Sequence, residues 1–329
     1  MGFVSFNETY YRQRLEELEK KTLAPEDIYK AQQLLKVLDD LTDEGYTNLN
    51  TRMEEDFSCL TRLRELLKKA GSLPIPIWHN ELACTDYSKE EFELEKLLDG
   101  LIADAGNCEG TSDNSFLHSI SEYCEWIGYE EDTAYVFLLR DTLLPYVYYK
   151  SRGRQNIYPW LISRKFLENI TEEECVDDEI RLPIYDGMEK GHTEFEDICD
   201  YYKKNMAEVW EEYSELKELF LKLLGSIKEK RIIIVESGYV GTIPMMLKSL
   251  DDRVSFHLYT TAPYLYETYK NQIFCRRYED VRKFETVYSQ DLLLRYSSYR
   301  DGCFYVNMAE DEHVRQRSLE EIKLFLPQT

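Results

Sequence analysis

Over the first 125 or so residues apolar positions recur at helical spacing, and beyond them they gather into short unbroken runs; this change of rhythm sets the expected architecture. Positions 8–22 and 26–42 read as a helical hairpin, with Pro25 near the start of the second segment, where a missing N–H costs nothing. A third helix is predicted over 51–70, closing at "KKAGS", where basic residues and then a glycine suit a helix C-terminus. The prolines of "LPIPIW" (73–78) cannot continue a helix, because each lacks an amide proton and biases its predecessor toward extended geometry. Ser88 and Glu91 have capping-box spacing, which predicts a helix over 89–104, and after the polar loop "GNCEGTSDNS" another helix is expected near 114–127.

"TAYVFLLRD" (133–141) is a continuous apolar run of strand length, the pattern of a strand covered on both faces. "YPWLISRK" (158–165), "RIIIVES" (231–237) and "VSFHLYTT" (254–261) are further candidate strands, and helical stretches separate most of them, as in a parallel α/β sheet. The expected fold class is α/β: a helical region over 1–128, then a Rossmann-like, mainly parallel sheet domain over 129–329 with a helical insertion around 171–228. In that insertion an acidic loop (171–192) precedes Thr193 and Glu196, a second capping-box pattern, and one helix of about thirty residues. "SYRDGCFYV" (298–306) reads as a hairpin around Asp301-Gly302.

Composition narrows the function classes. A formal charge of -23 opposes binding to nucleic acid or anionic lipid, which clustered Lys and Arg drive, and leaves a basic protein as the partner that an acidic surface suits. Eight scattered cysteines form no C-x-x-C pair and no paired spacing with histidine, so free thiols in a reducing cytosol and no structural metal are expected. The charged opening "MGFVSFNETYYRQRLEELEK" and the lack of eighteen uninterrupted apolar residues predict a cytoplasmic protein without membrane contact. None of the five histidines has a nucleophile elbow nearby, and the 26 tyrosines read as packing groups with hydroxyls at the rim.

Three strand ends carry candidate chemistry. In "IIIVESGYVGT" the strand delivers Glu236 and Ser237 to the edge where open parallel sheets bind ligands; Gly238, Tyr239 and Gly241 form the turn, and Thr242 opens a helix whose N-terminal amides suit a phosphate. "LLRDTLL" (138–144) brings Arg140, Asp141 and Thr142 to the end of another buried strand, and "LISRK" (161–165) brings Ser163, Arg164 and Lys165 to a third. Arg binds pyrophosphate bidentately and Lys as a point charge, so convergence of the three segments would make an anion site. Each also has a purely structural reading: a glycine turn, a helix cap, a solvated basic pair.

The stretch 231–242 resembles the loop of phosphoribosyltransferases, in which apolar residues precede two acids and a Gly/Thr-rich turn. That resemblance implies that Glu236 contacts ribose hydroxyls, that Gly241 and Thr242 hold the 5′-phosphate, and that Arg140, Asp141, Thr142, Arg164 and Lys165 meet the pyrophosphate of a donor carried with magnesium. Ser237 stands where the second acid is expected, and the loop is one residue short. The string Glu236, Gly238, Tyr239, Gly241, Thr242 is also similar, without a gap, to a strand-loop of haloacid-dehalogenase-like domains. That likeness implies a phosphatase with Asp141 as nucleophile, Ser163 and Lys165 on the phosphate and Glu236 near magnesium, although Leu138 occupies the position in register with the nucleophile. The third function class is a non-catalytic interaction or inhibitor protein.

Overall fold

A computed structural model describes residues 86–108, 115–139, 141–172, most of 180–192, 194–237, 241–259, 269, 271–274 and 293–327, together with a few positions before residue 86. The predicted helices over 8–22, 26–42 and 51–70 lie outside the described residues except at Glu16, Leu18, Glu19, Ala31, Arg62 and Leu66, each of which is helical, and at Lys20, which is in a turn.

The fold is α/β around a five-stranded parallel sheet. Its strands are β2 (Thr133–Leu138), β3 (Ile157–Trp160), β4 (Arg231–Ser237), β5 (Val254–Tyr259) and β6 (Ile273–Phe274), in the order β3-β2-β4-β5-β6. Every residue of β2 is buried, as its unbroken apolar run requires of a strand covered on both faces. Register sets Phe137 beside Val235 and Val235 beside His257. At the outer edge, β3 carries Pro159, which cannot donate to a further strand.

Helices cover both faces. On one lie α2 (Ser115–Ile127) and α3 (Leu143–Ser151), whose Tyr146 and Tyr149 pack on Phe137 with ring centroids 5.8 and 5.2 Å away. The helices α1 (Leu94–Asn107) and α8 (Glu312–Phe325) back them. On the other face lie α4 (Arg164–Thr171), α5 (Phe195–Glu212), α6 (Ser214–Ser226) and α7 (Thr242–Leu250). Phe195 of α5 meets Phe256 of β5 edge-on at 5.2 Å. A small antiparallel sheet, β1 (Phe92–Glu93), β8 (Cys303–Met308) and β7 (Leu294–Arg300), flanks α4, where Tyr296 and Phe304 contact Phe166 at 5.2 and 5.9 Å.

The hairpin predicted around Asp301-Gly302 is present, with φ of 55° and 83° at the two turn residues, the positive pair that a two-residue hairpin turn demands. Two local expectations are corrected. Ser88 caps no helix: its hydroxyl accepts from Met308 N–H at 3.2 Å and donates to Glu90 O at 2.9 Å, because 92–93 pair with β8 and the helix starts only at Leu94. The long helix after Glu194 is two helices broken at Tyr213, a turn that lets Trp210 and Phe220 meet edge-on at 6.3 Å; Thr193 of the expected capping box lies outside the described residues. The C-terminus of α6 is closed from outside. Arg253 donates to Leu224 O, Ile227 O and Glu229 O at 3.0, 2.9 and 3.0 Å while Asp251 holds its guanidinium at 2.6 Å. No described helix is long and apolar enough to cross a membrane.

Candidate functional site at the carboxyl edge of the sheet

Because β3, β2 and β4 are parallel neighbours, the chain leaves all three at the same edge of the sheet, and each then opens a helix: α4, α3 and α7 in turn. The described residues of the segments 139–142, 161–165 and 236–242 therefore share that edge. The strand order also reverses there. From β2 the chain moves to β3 on one side, whereas β4 on the other side leads outward to β5 and β6. Reversals of this kind part the loops leaving the two central strands and open a crevice beyond them.

Alternation along β4 sends neighbouring side chains to opposite faces. Val235 shares the α3 side with Phe137, so Ser237 lies on that face and Glu236 on the face of α5 and α7. Glu236 keeps some exposure, yet its Oε2 is sealed from solvent and has no hydrogen-bond partner among the described residues. Burial, and secondly the charge of Asp141 across from it, pushes the Glu236 carboxyl from 4.5 up to about 8. Ser237 is 5% exposed, and its hydroxyl likewise lacks a described partner.

Next to them on β5, His257 lies under Trp126 of α2, ring centroids 4.7 Å apart, with its Nδ1 buried and unpartnered among the described residues. Burial, and then the Arg231 charge, lowers the imidazole to about 4. Most buried polar atoms in proteins are satisfied, so three exceptions on the carboxyl halves of two adjacent strands mark this end of the sheet as polar beyond structural need. One hydroxyl links them. Tyr123 of α2, fully buried, reaches His257 O at 2.7 Å and Glu236 O at 3.1 Å.

The start of α7 supplies the amides. Gly241 is its N-cap at φ 67°, and Met245 N–H to Gly241 O, 3.0 Å, is the first bond of the helix. Thr242 and Ile243 thus have no acceptor inside the helix, and Pro244 has no N–H to satisfy. Gly241 does double duty: a Cβ there would stand 3.0 Å from Leu258 Cδ1, so the residue also lets helix and strand approach.

Other predicted residues divide by placement. Asp141 is half-buried beyond β2 and acts on Glu236 electrostatically. Thr142 is fully buried, and its hydroxyl donates to Leu138 O at 2.8 Å, which ties the turn to the strand. Ser163 accepts from Phe166 N–H at 3.3 Å and caps α4, and Arg164 and Lys165 form the first turn of that helix. Arg140, Gly238 and Tyr239 lie outside the described residues. Among the described residues no three His, Cys, Asp or Glu side chains converge on a metal position.

Sequence reasoning missed Tyr123 and His257. The lone histidine in the apolar run "VSFHLY" was a visible irregularity; nothing local distinguishes Tyr123 from the other tyrosines. Comparison with protein-family models, curated proteins and solved structures finds no match for this chain.

Proposed function

We propose that the chain binds a phosphorylated small molecule at the carboxyl edge of a Rossmann-like sheet, with phosphoribosyl pyrophosphate as the ligand class. The observation that carries this reading is the reversal of strand order between β2 and β4, which sets the Asp141 and Glu236 segments side by side next to the N-terminus of α7. The amides of Thr242 and Ile243 and the helix dipole favour a phosphate there. Glu236 Oε2, buried without a described partner, is an acceptor for a sugar hydroxyl, whose donated bond would offset the cost of ionising the carboxyl. Magnesium would arrive as part of the ligand: among the described residues no three His, Cys, Asp or Glu side chains converge, so phosphate oxygens would hold most of its coordination sphere. The ion would neutralise pyrophosphate charge as the leaving group departs.

In the transferase reading the chain's own groups orient the donor and exclude water, and the basic residues opening α4 balance charge that develops on pyrophosphate. A second reading, phosphatase-type hydrolysis with Asp141 as nucleophile, is favoured by one observation: the charge of Asp141 acts directly on Glu236, as in a site where two acids divide the roles of nucleophile and proton donor.

Two assays on the same preparation decide. Phosphoribosyl pyrophosphate with magnesium should raise the melting temperature saturably, while p-nitrophenyl phosphate with magnesium should show no turnover that Asp141→Asn abolishes. The reverse pattern selects the phosphatase. Neither response leaves the non-catalytic class, for which salt-sensitive capture of a basic protein is the matching result.

A further inference from the structure

We infer that Tyr123, contributed by α2, is a positioning residue for the strand-end acid, its hydroxyl reaching the main chain from the opposite face of the sheet to fix the peptide that carries Glu236. This rests on the proposed ligand site, whose central acid is Glu236. A phenol has one proton to give, and the shorter distance, 2.7 Å to His257 O against 3.1 Å to Glu236 O, makes the β5 carbonyl its main acceptor. Shared unequally between the two carbonyls, that one proton ties β4 to β5 at the height of Glu236.

The carbonyl of Glu236 belongs to the same rigid peptide plane as the amide of Ser237. Holding that plane therefore fixes the direction of both side chains, Glu236 on the α7 face and Ser237 on the α2 face. Those two side chains carry buried atoms without a described partner. The ring has no freedom to drift, since Tyr259 meets it edge-on at 5.2 Å, Phe274 lies 5.5 Å away and Trp126 stacks at 6.1 Å. Tyr123 is the described side chain whose hydroxyl contacts the backbone of Glu236, and it comes from a segment far away in sequence.

A tyrosine that merely filled the core would show its loss only in stability, so the test reads the acid itself. Tyr123→Phe keeps the ring and removes the hydroxyl. The pH inflection of Glu236, obtained as the difference in stability between each background and the same background carrying Glu236→Gln, should fall from about 8 by roughly one unit as the carboxyl turns toward water. Affinity for phosphoribosyl pyrophosphate should weaken about tenfold, the worth of one lost positioning hydrogen bond. Tyr149→Phe is the control: it is an equally buried tyrosine on the same face, whose hydroxyl bonds Gly128 O and Cys124 O instead, and it should move neither value. A 3-fluorotyrosine at position 123 keeps the donor and should restore both.

An unmoved Glu236 inflection in Tyr123→Phe overturns the inference, whatever happens to stability. A moved inflection in a protein that binds no phosphoribosyl pyrophosphate supports the positioning role and rejects the ligand assignment, so the two claims fail separately.

Discussion

Replacing Glu236 by Gln should stabilise the protein at alkaline pH and leave it nearly unchanged in mild acid. A carboxyl that titrates at 4.5 in the unfolded chain and at about 8 in the folded one holds, between those values, a proton that the unfolded chain has lost. In that window the folded state binds more protons, and stability falls by about 1.4 kcal/mol for each pH unit. Integrated across the window the loss is on the order of 4–5 kcal/mol, and after discounting for the residual exposure of Glu236, about 3 kcal/mol remains. His257 complicates the raw profile. Its lowered value makes stability rise with pH between about 4 and 6.5, so the two slopes oppose each other below 6.5 and Glu236 dominates above it.

Gln cannot ionise, so the wild-type minus variant difference cancels His257 and isolates the acid. Urea unfolding followed by tryptophan fluorescence at pH 5, 7 and 8.5 should give curves that coincide within about 1 kcal/mol at pH 5 and separate by about 3 kcal/mol at pH 8.5, the variant being the more stable. Asp141→Asn should move the wild-type inflection partway down, because it removes the second of the two causes and leaves burial, the first. Parallel profiles for wild type and Glu236→Gln, offset by a constant, would refute the reasoning: the carboxyl would then be as well solvated folded as unfolded.

Three further outcomes are expected. Arg253→Ala removes three carbonyl contacts that close α6 and should cost about 2–3 kcal/mol of unfolding free energy, a loss that Asp251→Asn reproduces in part. Gly241→Ala puts a Cβ at φ 67° and 3.0 Å from Leu258, so equilibrium unfolding should show a loss of about 1–2 kcal/mol, with weaker phosphate binding as α7 shifts. His257→Leu should flatten the acid limb: the contribution of His257 is complete above pH 6.5 and is lost as pH falls toward 4, by about 2 kcal/mol after allowance for partial exposure, whereas the variant keeps it.

The parallel sheet was legible because β2 and β4 are apolar on both faces, and a run such as "RIIIVES" has one stable use in a mixed chain. Strand ends followed by helices put the three polar segments at a common edge, which repetition of strand, turn and helix already implies. What sequence could not show was order: nothing local tells that β4, separated from β2 by α3, β3 and, among the described residues, α4, α5 and α6, returns to lie beside it. The small sheet was half visible. Asp301-Gly302 announces the β7–β8 hairpin through its turn chemistry, but the two residues of β1 pair with β8 across some two hundred positions and carry no pattern of their own. The Ser88 capping box misled for a related reason: the spacing is right, and the Met308 amide, distant in sequence, donates to the Ser88 hydroxyl. Tyr123 marks the furthest limit, since its contact with Glu236 exists only once α2 is packed on the sheet.

The most direct measurement is a crystal structure of the protein soaked with phosphoribosyl pyrophosphate and magnesium. The account predicts a phosphate within hydrogen-bond distance of the Thr242 and Ile243 amides and a sugar hydroxyl on Glu236 Oε2, between the ends of β2 and β4. Ligand bound elsewhere on the chain, or a carboxyl edge that stays empty at saturating concentration, would contradict it.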